Sequence, residues 1–416
     1  MPKAPTQGNL SALFAINKPT GIPSMTLLNQ LQPLFSSSQL FKDPNKDTQD
    51  LAGRGGKGGR GGKRRRGGAD KVKMGQGGTL DPLADGVLVV GTNVATKHLS
   101  RFLDCTKEYR AIGLLGSSTD SYDSEGKRVK TLPWEGVTRE KVEEVLGRFR
   151  GEIEQTPPIY SALKMDGKPL YEYARTNTPL PRPIPPRKVT VHNLSLLSFT
   201  AGDAHTYDPP AEALDYKARR EIEALEKMVK EGGTVVPSVE EVTEGEKKEA
   251  EEAKEAQDLP AGTSEAPTPA PRPPIFEIRL TVSSGTYIRS IVHDIGLALG
   301  SAAHVVKLTR TRQGEFALEP EPAAAVEGAA QEGEKEEGEG KGEEPLPPAN
   351  TLPCLSWELL SSAIAAHDAA RRKPQGKGDA AAPPPAGEGE KEGGLERDAD
   401  GWAEWERELV RVCKEV

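Results

Sequence analysis

The chain has 416 residues, with 55 Lys and Arg against 63 Asp and Glu, which gives a formal net charge of −8 at pH 7. It contains 44 Gly and 35 Pro, so much of it cannot join a packed core, and the folded part is smaller than the chain. No apolar run approaches the roughly 20 residues that a membrane-spanning helix needs. The first 17 residues hold no signal-like apolar segment and no arginine. We therefore expect neither a membrane protein nor a secreted one.

Three cysteines, Cys105, Cys354 and Cys413, are widely spaced and form no C-x-x-C pair. An odd number at such spacing indicates neither a disulfide framework nor a zinc site. This usage is typical of a protein in a reducing compartment.

The charges are segregated along the chain. Residues 54–73 carry nine Lys and Arg against one Asp, whereas 221–258 and 327–344 are rich in Glu. The glycine-rich stretch 53–68 is predicted to be a flexible basic insertion. Its function stays open between a plain linker, weak and salt-sensitive RNA binding, and nuclear import through Lys63–Arg66. The acidic segments are predicted to be solvated linkers.

The pattern of apolar residues predicts secondary structure from the N-terminus onward. A short buried strand at Leu13–Ile16 ends in the turn Asn17–Gly21, and a helix follows at Met25 to Leu34. Beyond the basic stretch, strands are predicted at Val87–Val90 and at Tyr109–Leu115.

A helix is predicted from Thr138 to Phe149, because Thr138 is a good N-cap and the following apolar residues share one face. Those residues are Val142, Val145, Leu146 and Phe149. A strand at Lys188 to Leu197 comes next. The tract 200–274 then lacks the aromatic content of a core, although Ala211 to Glu231 has helical composition.

Regular structure is predicted to resume at a strand over Ile275–Val282. A helix from Ile288 to Leu299 and a strand from His304 to Thr309 come after it. Beyond a second acidic tract lie a short motif around Leu352 to Ile364 and a terminal helix from Gly401 to Val416.

These elements predict an α+β chain with a central mixed or antiparallel sheet, flanked by helices and interrupted by disordered insertions. Its predicted parts are the N-terminal part of the core at 1–52, a basic insertion at 53–71, the main core at 72–199, an acidic insertion at 200–274, the C-terminal part of the core at 275–320, an acidic tract at 321–350, and short helices with a polar tract at 351–416.

The most informative stretch is Gly77–Gly86, which places Asp81 on a tight turn directly before an apolar strand. The glycines allow unusual backbone angles and the close approach of a ligand, and Pro82 fixes the backbone after the carboxylate. An isolated Asp-Pro turn usually only connects two elements. The other segments of the chain favour a reactive carboxylate here.

Several separated segments combine polar reactive groups with glycine or aromatic neighbours. They are Gly77–Gly86, Lys107–Arg110, Ser161–Lys168 with Tyr171 and Tyr173, and Ser284–Arg289. Together with Asn17–Gly21, Gln155–Lys164, Leu170–Arg175 and Ala303–Leu308, they resemble the TruB family of tRNA pseudouridine synthases. The resemblance covers 10–34, 72–198 and 275–320, somewhat under half of the chain.

The resemblance implies a pseudouridine synthase fold and an enzyme that isomerises uridine 55 in the T arm of tRNA to pseudouridine, with no metal and no cofactor. It makes Asp81 the catalytic carboxylate, Arg289 the arginine that pairs with it, and Tyr109 the ring that stacks on the target base. The uridine must be flipped out, because a base inside the helical stack hides its C1′ atom.

The resemblance also implies a set of substrate-binding residues. They are Tyr287, Leu308, Gln76, Lys18, Lys164, Lys168 and Arg175. The tyrosine and the leucine belong to the base pocket, the glutamine lies near the RNA, and the four cations contact phosphates from the core and an RNA-gripping segment within 72–199. Core packing stays open for the tyrosine and the leucine, and a solvated surface position for the cations.

Two positions depart from the family pattern. Gln76 stands where many bacterial members have His, which concerns RNA recognition rather than the chemistry. Asp85 stands where Thr or Ser is usual, and a second carboxylate facing Asp81 would raise the pKa of Asp81. We predict that Asp85 points to the surface.

The family's C-terminal RNA-binding PUA domain is not recognisable in 351–416, which is typical of the eukaryotic, fungal-like branch. The expected partner is the T arm of tRNA, with messenger RNA as a further candidate. We expect no membrane, no obligate protein partner and a monomer in the nucleus or cytoplasm, with a mitochondrial pool left open. Two alternatives also stay open: a catalytically idle RNA-binding or RNA-chaperone protein on the same fold, and a guide-RNA-dependent rRNA pseudouridine synthase.

Overall fold

The structure is a computed structural model. It describes residues 8–42, 71–176, 178, 180–216, 218–219, 222, 271–318, 351–372 and 395–416. The predicted basic stretch 53–68 and most of the predicted acidic tracts lie outside the described residues. Within the described ranges, no helix has the length and apolar character needed to cross a lipid bilayer.

The described residues form fifteen strands. They are β1 (Ala12–Lys18), β2 (Met74–Gln76), β3 (Asp85–Thr92), β4 (Lys107–Leu115), β5 (Ser117–Thr119), β6 (Arg128–Thr131), β7 (Gly151–Gln155), β8 (Lys164–Met165), β9 (Lys168–Pro169), β10 (Arg187–Thr200), β11 (Ile275–Val282), β12 (Ala303–Gln313), β13 (Phe316–Ala317), β14 (Leu352–Leu355) and β15 (Lys414–Glu415).

The same part of the chain forms seven α-helices. They are α1 (Ser24–Ser37), α2 (Ser100–Asp104), α3 (Arg139–Leu146), α4 (Leu170–Arg175), α5 (Ile288–Ala298), α6 (Trp357–Arg372) and α7 (Glu404–Val412). With the strands they give an α+β fold with a mixed sheet, as predicted.

The chain divides into two compact units. One consists of Met1–Tyr109 and Thr309–Val416, and the other of Arg110–Leu308. The boundaries fall inside β4 and β12, so each of these strands contributes residues to both units. The sequence predicted a single interrupted core, since no change of composition marks either boundary.

In the first unit, β1 pairs antiparallel with β3 along most of its length, from Leu13 opposite Gly91 to Lys18 opposite Gly86. Strand β2 extends this sheet on the far side of β3. Strand β3 is buried on both faces after its first residue, which explains its continuous apolar sequence. The end of β12 runs parallel to the start of β3, with Arg310 opposite Gly86.

The C-terminal segment is part of the first unit. Strand β14 pairs parallel with β1 and with β13, and β15 pairs antiparallel with the start of β1. Helix α7 buries Trp405, whose ring stacks on Phe35 of α1 with centroids 5.1 Å apart. Ser38 donates to the buried carboxylate of Glu406 at 2.6 Å. The described part of 351–416, where short helices and a polar tract were predicted, therefore contributes core elements to this unit.

In the second unit, β10 lies between β11 and β7 and pairs antiparallel with both. Helix α3 begins as predicted, because the hydroxyl of Thr138 accepts from the backbone N–H of Lys141 at 3.4 Å. Val142, Val145 and Leu146 are buried, whereas Phe149 is only half-buried in the 3₁₀ turn at the end of the helix.

A small hairpin layer is built from β8, β9 and α4. Its apolar centre is formed by Met165, Leu170, Tyr173 and Ile184. The ammonium of Lys168 lies 4.5 Å from the ring centroid of Tyr173, and the guanidinium of Arg175 lies 5.4 Å from that of Tyr171. These contacts hold two of the predicted RNA-binding cations on an ordered surface.

Candidate active site

The segment Gly77–Gly86, here named the Asp81 loop, follows β2 and includes the first two residues of β3, in the first unit. It begins where Gly77 donates its N–H to Val89 at 2.9 Å, and it turns at Asp81, whose carbonyl accepts from Ala84 at 3.2 Å. Gly78 and Gly86 have φ angles of 129° and 99°, values that only glycine adopts readily. The predicted tight turn is confirmed, and it leaves Asp81 half-buried.

Residues of the turn after β1 form hydrogen bonds to the Asp81 loop. Gly21 donates its N–H to the Pro82 carbonyl at 2.8 Å, and the Thr20 hydroxyl donates to Leu83 at 2.7 Å. The buried hydroxyl of Ser24 accepts from the N–H of Leu80 and donates to its carbonyl. Backbone groups on both sides of Asp81 are therefore fixed by neighbouring residues.

Lys18 lies beneath the same loop and is fully buried. Its ammonium donates to the backbone carbonyls of Ala84 at 2.6 Å, Pro19 at 2.8 Å and Pro82 at 3.3 Å. The structure corrects its predicted surface position, because the three carbonyls use the donors that a phosphate would need.

Burial lowers the pKa of Lys18 to about 8, although the nearby negative charges of Asp85 and Asp81 oppose the fall. The buried ammonium is therefore electrostatically coupled to both carboxylates of the loop.

Arg310 and Gln313 of β12 hold the inner side of the Asp81 loop. The buried guanidinium of Arg310 donates to the carbonyls of Val87 at 2.7 Å and Gly78 at 3.1 Å. The Gln313 side-chain amide donates to the carbonyl of Gly77. Each of these bonds fixes a backbone carbonyl in the loop or directly after it.

The prediction that Asp85 points to the surface is wrong. It is half-buried as the first residue of β3, and its Oδ1 atom is buried with no hydrogen-bond partner among the described residues. Its charge acts on Lys18. The pairing of Asp85 with Thr309 of β12 explains this placement, because it draws the start of β3 into the sheet.

Two further predicted residues, Gln76 and Tyr109, lie in the first unit. Gln76 ends β2, and its side-chain amide donates to the hydroxyl of Thr79 at 3.0 Å, which ties it to the Asp81 loop. Tyr109 is buried on β4. Its role as the base-stacking ring stays a prediction.

In the second unit, Arg289 lies in the first turn of α5 and is only 3% exposed. Its guanidinium donates to the backbone carbonyls of Ser121 and of Tyr160, the latter at 2.8 Å, and its Nε atom lies 3.6 Å from Oδ2 of Asp123. The structure thus excludes a solvated helix arginine. The predicted pairing with Asp81 involves a residue of the other unit and stays a prediction.

The turn that receives Arg289 is itself tightly built. Asp123 accepts from the Ser121 hydroxyl and from the backbone N–H of Glu125, and Tyr122 has a φ of 62°, which is rare for a residue with a side chain. The ring of Tyr122 stacks on His293 of α5 with centroids 4.0 Å apart. These contacts fix the carbonyl and the carboxylate that face the guanidinium.

Three predicted substrate-binding residues lie in the same unit. Tyr287 directly precedes α5, with the Arg187 guanidinium 4.7 Å from its ring centroid. Leu308 is buried on β12, and Lys164 is exposed on β8. Lys164 is thus open to a phosphate, and the base-pocket roles of Tyr287 and Leu308 stay predictions.

No cluster of three or more His, Cys, Asp or Glu side chains in the described ranges is arranged to hold a metal ion.

Sequence reasoning missed Ser24, Arg310, Gln313 and Asp123. Arg310 directly follows the predicted strand from His304 to Thr309, and this position was a usable signal, because an arginine drawn into a sheet normally has a partner. The role of Ser24 gave no signal, since serine before a helix is normally an N-cap.

Family models match this chain on both sides of the acidic insertion. The model of the TruB family pseudouridylate synthase N-terminal domain matches residues 64–207, and that of the tRNA pseudouridylate synthase B C-terminal domain matches residues 289–337. A solved Cbf5-Nop10-Gar1 complex aligns with a TM-score of 0.37 at 21% identity, over 74% of this chain and 50% of that chain.

Curated relatives match over most of the chain. The tRNA pseudouridine synthase 4 of Schizosaccharomyces pombe is 38% identical over 341 residues, which cover 74% of this chain and 80% of the relative. That of Saccharomyces cerevisiae is 38% identical over 323 residues, with coverages of 74% and 78%. Human pseudouridylate synthase TRUB1 is 32% identical over 327 residues, with coverages of 78% and 68%. The chain belongs to the TruB family of pseudouridine synthases.

Proposed function

We propose that this protein isomerises uridine 55 in the T arm of tRNA to pseudouridine. The observation that carries the proposal is the mounting of Asp81, whose loop is held by Lys18, Ser24 and Arg310. A loop that is held at several points keeps its carboxylate in one position, as catalysis requires, whereas a loop that only connects two strands needs no such contacts. The names of the fungal relatives, tRNA pseudouridine synthase 4, support tRNA as the substrate.

The proposed reaction breaks the bond between N1 of uracil and C1′ of the ribose, and forms a bond between C5 and C1′. The proton on C5 is lost and N1 gains one, so atoms balance without water, a redox partner or a transferred group. Asp81 supplies the carboxylate for this reaction. It acts either as a nucleophile on the sugar or on the uracil ring, in a bond that breaks again when C5 bonds to C1′, or as the base that first removes a proton from the sugar.

Tyr109 is assigned to stacking on the extruded uracil, since an aromatic face replaces the neighbours that the base loses on leaving the helix. Lys164, Lys168 and Arg175 of the hairpin layer are assigned to phosphate contacts. Lys18 has no such role, because it is fully buried.

The test is tritium release from a T-arm stem-loop RNA labelled at C5 of uridine 55. Release by the wild-type protein should stop almost completely in Asp81→Asn, with a loss of about 1,000-fold or more. The matched control is Asp104→Asn, which neutralises an exposed carboxylate of the same unit. A stem-loop with cytidine at position 55 and tritium at C5 of its remaining uridines reports any other target.

The same assay separates the alternatives. An idle RNA-binding protein would bind the stem-loop without releasing tritium, and a guide-dependent enzyme would release it only after a guide RNA is added. Unchanged release by Asp81→Asn would contradict the assignment of the carboxylate.

A further inference from the structure

We propose that Gln155 is a positioning residue, whose side-chain amide fixes Tyr287 and with it the first turn of the helix that carries Arg289. The inference rests on the proposed function, because it concerns two residues assigned to the substrate pocket.

Gln155 is the last residue of β7 and is only 2% exposed. Its Oε1 atom accepts from the backbone N–H of Tyr287 at 2.7 Å, and its Nε2 atom donates to the Tyr287 carbonyl at 2.9 Å. One side chain thus satisfies both backbone groups of one residue, as a neighbouring strand would do in a sheet.

Tyr287 needs such a partner because it lies between two regular elements. It comes after Gly285, whose φ is 77°, and its own φ and ψ of −97° and 111° are extended, whereas α5 begins at the next residue. The N–H and the carbonyl of Tyr287 would each cost free energy if left without a partner.

At neutral pH, glutamine supplies this pair of bonds and glutamate does not. Its carboxamide has a donor and an acceptor side by side, whereas an ionised glutamate of the same length has acceptors alone. Glutamate would keep the bond from the Tyr287 N–H and would set a negative oxygen against the Tyr287 carbonyl.

The position of Tyr287 determines where the first turn of α5 lies. The Tyr287 side chain lies under the guanidinium of Arg187, and two residues later Arg289 donates to the Tyr160 and Ser121 carbonyls. The Ser290 hydroxyl also donates to the carbonyl of Thr156 at 3.4 Å. Gln155 and Thr156 therefore contact Tyr287 and Ser290, which lie before and after Arg289 in the sequence. A displacement of Tyr287 would consequently displace the Arg289 guanidinium.

The first experiment measures single-turnover tritium release and RNA affinity for Gln155→Glu and Gln155→Ala. We expect the rate to fall about 10- to 100-fold in both, as for a small misplacement of catalytic groups. The dissociation constant of the stem-loop should stay within about twofold, since neither atom of the amide is free to bind RNA. Gln30→Glu, on the exposed face of α1, is the matched control for the added charge.

A pH series separates positioning from simple filling of space. A protonated glutamic acid has a donor and an acceptor, so the rate of Gln155→Glu relative to wild type should recover as the pH falls from about 8 to about 5.5. The ratio for Gln155→Ala should stay flat, because methyl groups do not titrate. A flat ratio in both variants would overturn the inference.

Amide hydrogen exchange at Tyr287 provides a readout that needs no catalysis. Exchange should be slow in the wild type and in Gln155→Glu, where the acceptor remains, and faster in Gln155→Ala. Equal protection in all three proteins would overturn the inference even if the rates fell. If the wild-type protein released no tritium, the proposed function would fail, and exchange at Tyr287 would still decide whether Gln155 fixes it.

Discussion

The ammonium of Lys18 donates a hydrogen bond of 2.6 Å to the backbone carbonyl of Ala84, inside the loop that carries Asp81. Two more carbonyls, of Pro19 and Pro82, share the same ammonium. A single buried cation therefore joins the end of β1 to a loop that begins 59 residues further along the chain. The loop geometry depends on this charge and not on its own sequence alone.

Replacing Lys18 with methionine should remove the hydrogen bonds that fix the conformation of the Asp81 loop. Three carbonyls would lose their shared donor, which costs about 1–3 kcal/mol of the free energy of unfolding for a buried unsatisfied group. Tritium release should fall more steeply than stability, because Asp81 loses its fixed position. Chemical denaturation and the stem-loop assay measure the two effects.

The control for this substitution is Lys97→Met, which removes an exposed lysine of the same unit. It should leave both stability and activity near those of the wild type. If Lys18→Met had the stability and activity of Lys97→Met, the three hydrogen bonds of Lys18 would not stabilise the Asp81 loop.

Stability should also depend on pH through Lys18. Its pKa is about 8 in the folded protein and about 10.5 when unfolded, so between these values the unfolded chain binds more protons. The burial cost of the cation is present below pH 8 and is relieved as the pH rises. The stability of the wild type minus that of Lys18→Met should therefore increase from pH 8 to pH 10.5, by at most about 3 kcal/mol. A difference that stays constant over this window would contradict the lowered pKa.

Arg289→Lys should impair catalysis although it keeps the charge. The guanidinium reaches two carbonyls and one carboxylate at once, whereas an ammonium is a single point that cannot reproduce this fork. We expect single-turnover release to fall about 100-fold with little change in RNA affinity. The control is Arg279→Lys, on the exposed side of β11. Wild-type rates in Arg289→Lys would remove Arg289 from the catalytic machinery.

The secondary structure near the site could be predicted from sequence where the signal is local. Strand β11 has the predicted bounds, Ile275–Val282, and α5 begins at the predicted Ile288. Both could be predicted because side-chain periodicity and a glycine break depend only on residues that are neighbours in sequence. The Asp81 turn could be predicted from its glycines and proline for the same reason.

The surroundings of the site could not be predicted in this way. Lys18 lies in a polar turn motif that is typical of a surface position, but its burial is decided by carbonyls of Pro82 and Ala84, far away in sequence. The surface position predicted for Asp85 is wrong because its pairing with β12 is equally distant. The family resemblance predicted which residues are reactive, but it did not predict the contacts that hold them in place.

Gly86→Ala should be among the most damaging single changes outside the reactive groups. A Cβ atom there would lie 2.3 Å from the carbonyl oxygen of Arg310, and the φ of 99° is also unfavourable for alanine. The backbone of β12 cannot move without breaking its pairing with β3, so we expect a loss of about 3 kcal/mol or more.

Gly21→Ala is the matched comparison, because Gly21 has a φ of 82° and open space where the Cβ would lie. It should cost only about 1 kcal/mol, for the backbone strain alone. Equal losses in the two variants would show that the contact with Arg310 adds nothing. Thermal and urea unfolding provide the comparison.

Residues 223–270 should be dispensable for folding, because the chain is closed on either side of them. We name the closing contacts the insertion neck, formed by 202–208 and 271–274. Arg272 donates to the Asp208 carboxylate at 2.6 Å and to the His205 carbonyl at 2.7 Å, and Nε2 of His205 lies 2.8 Å from the Pro273 carbonyl. These contacts close the chain between residues 208 and 272, and residues 223–270 lie between the two in sequence.

Replacing 223–270 with a Gly/Ser linker of about 20 residues should therefore leave the melting temperature nearly unchanged, since loop length contributes only weakly to stability. Single-turnover release from the stem-loop should stay within about threefold of wild type if the removed residues take no part in the chemistry. Arg272→Ala in the shortened protein is the control, and it should lower the melting temperature by opening the neck. An inactive but folded shortened protein would assign the removed segment a part in the reaction, and an unfolded one would contradict the closed neck.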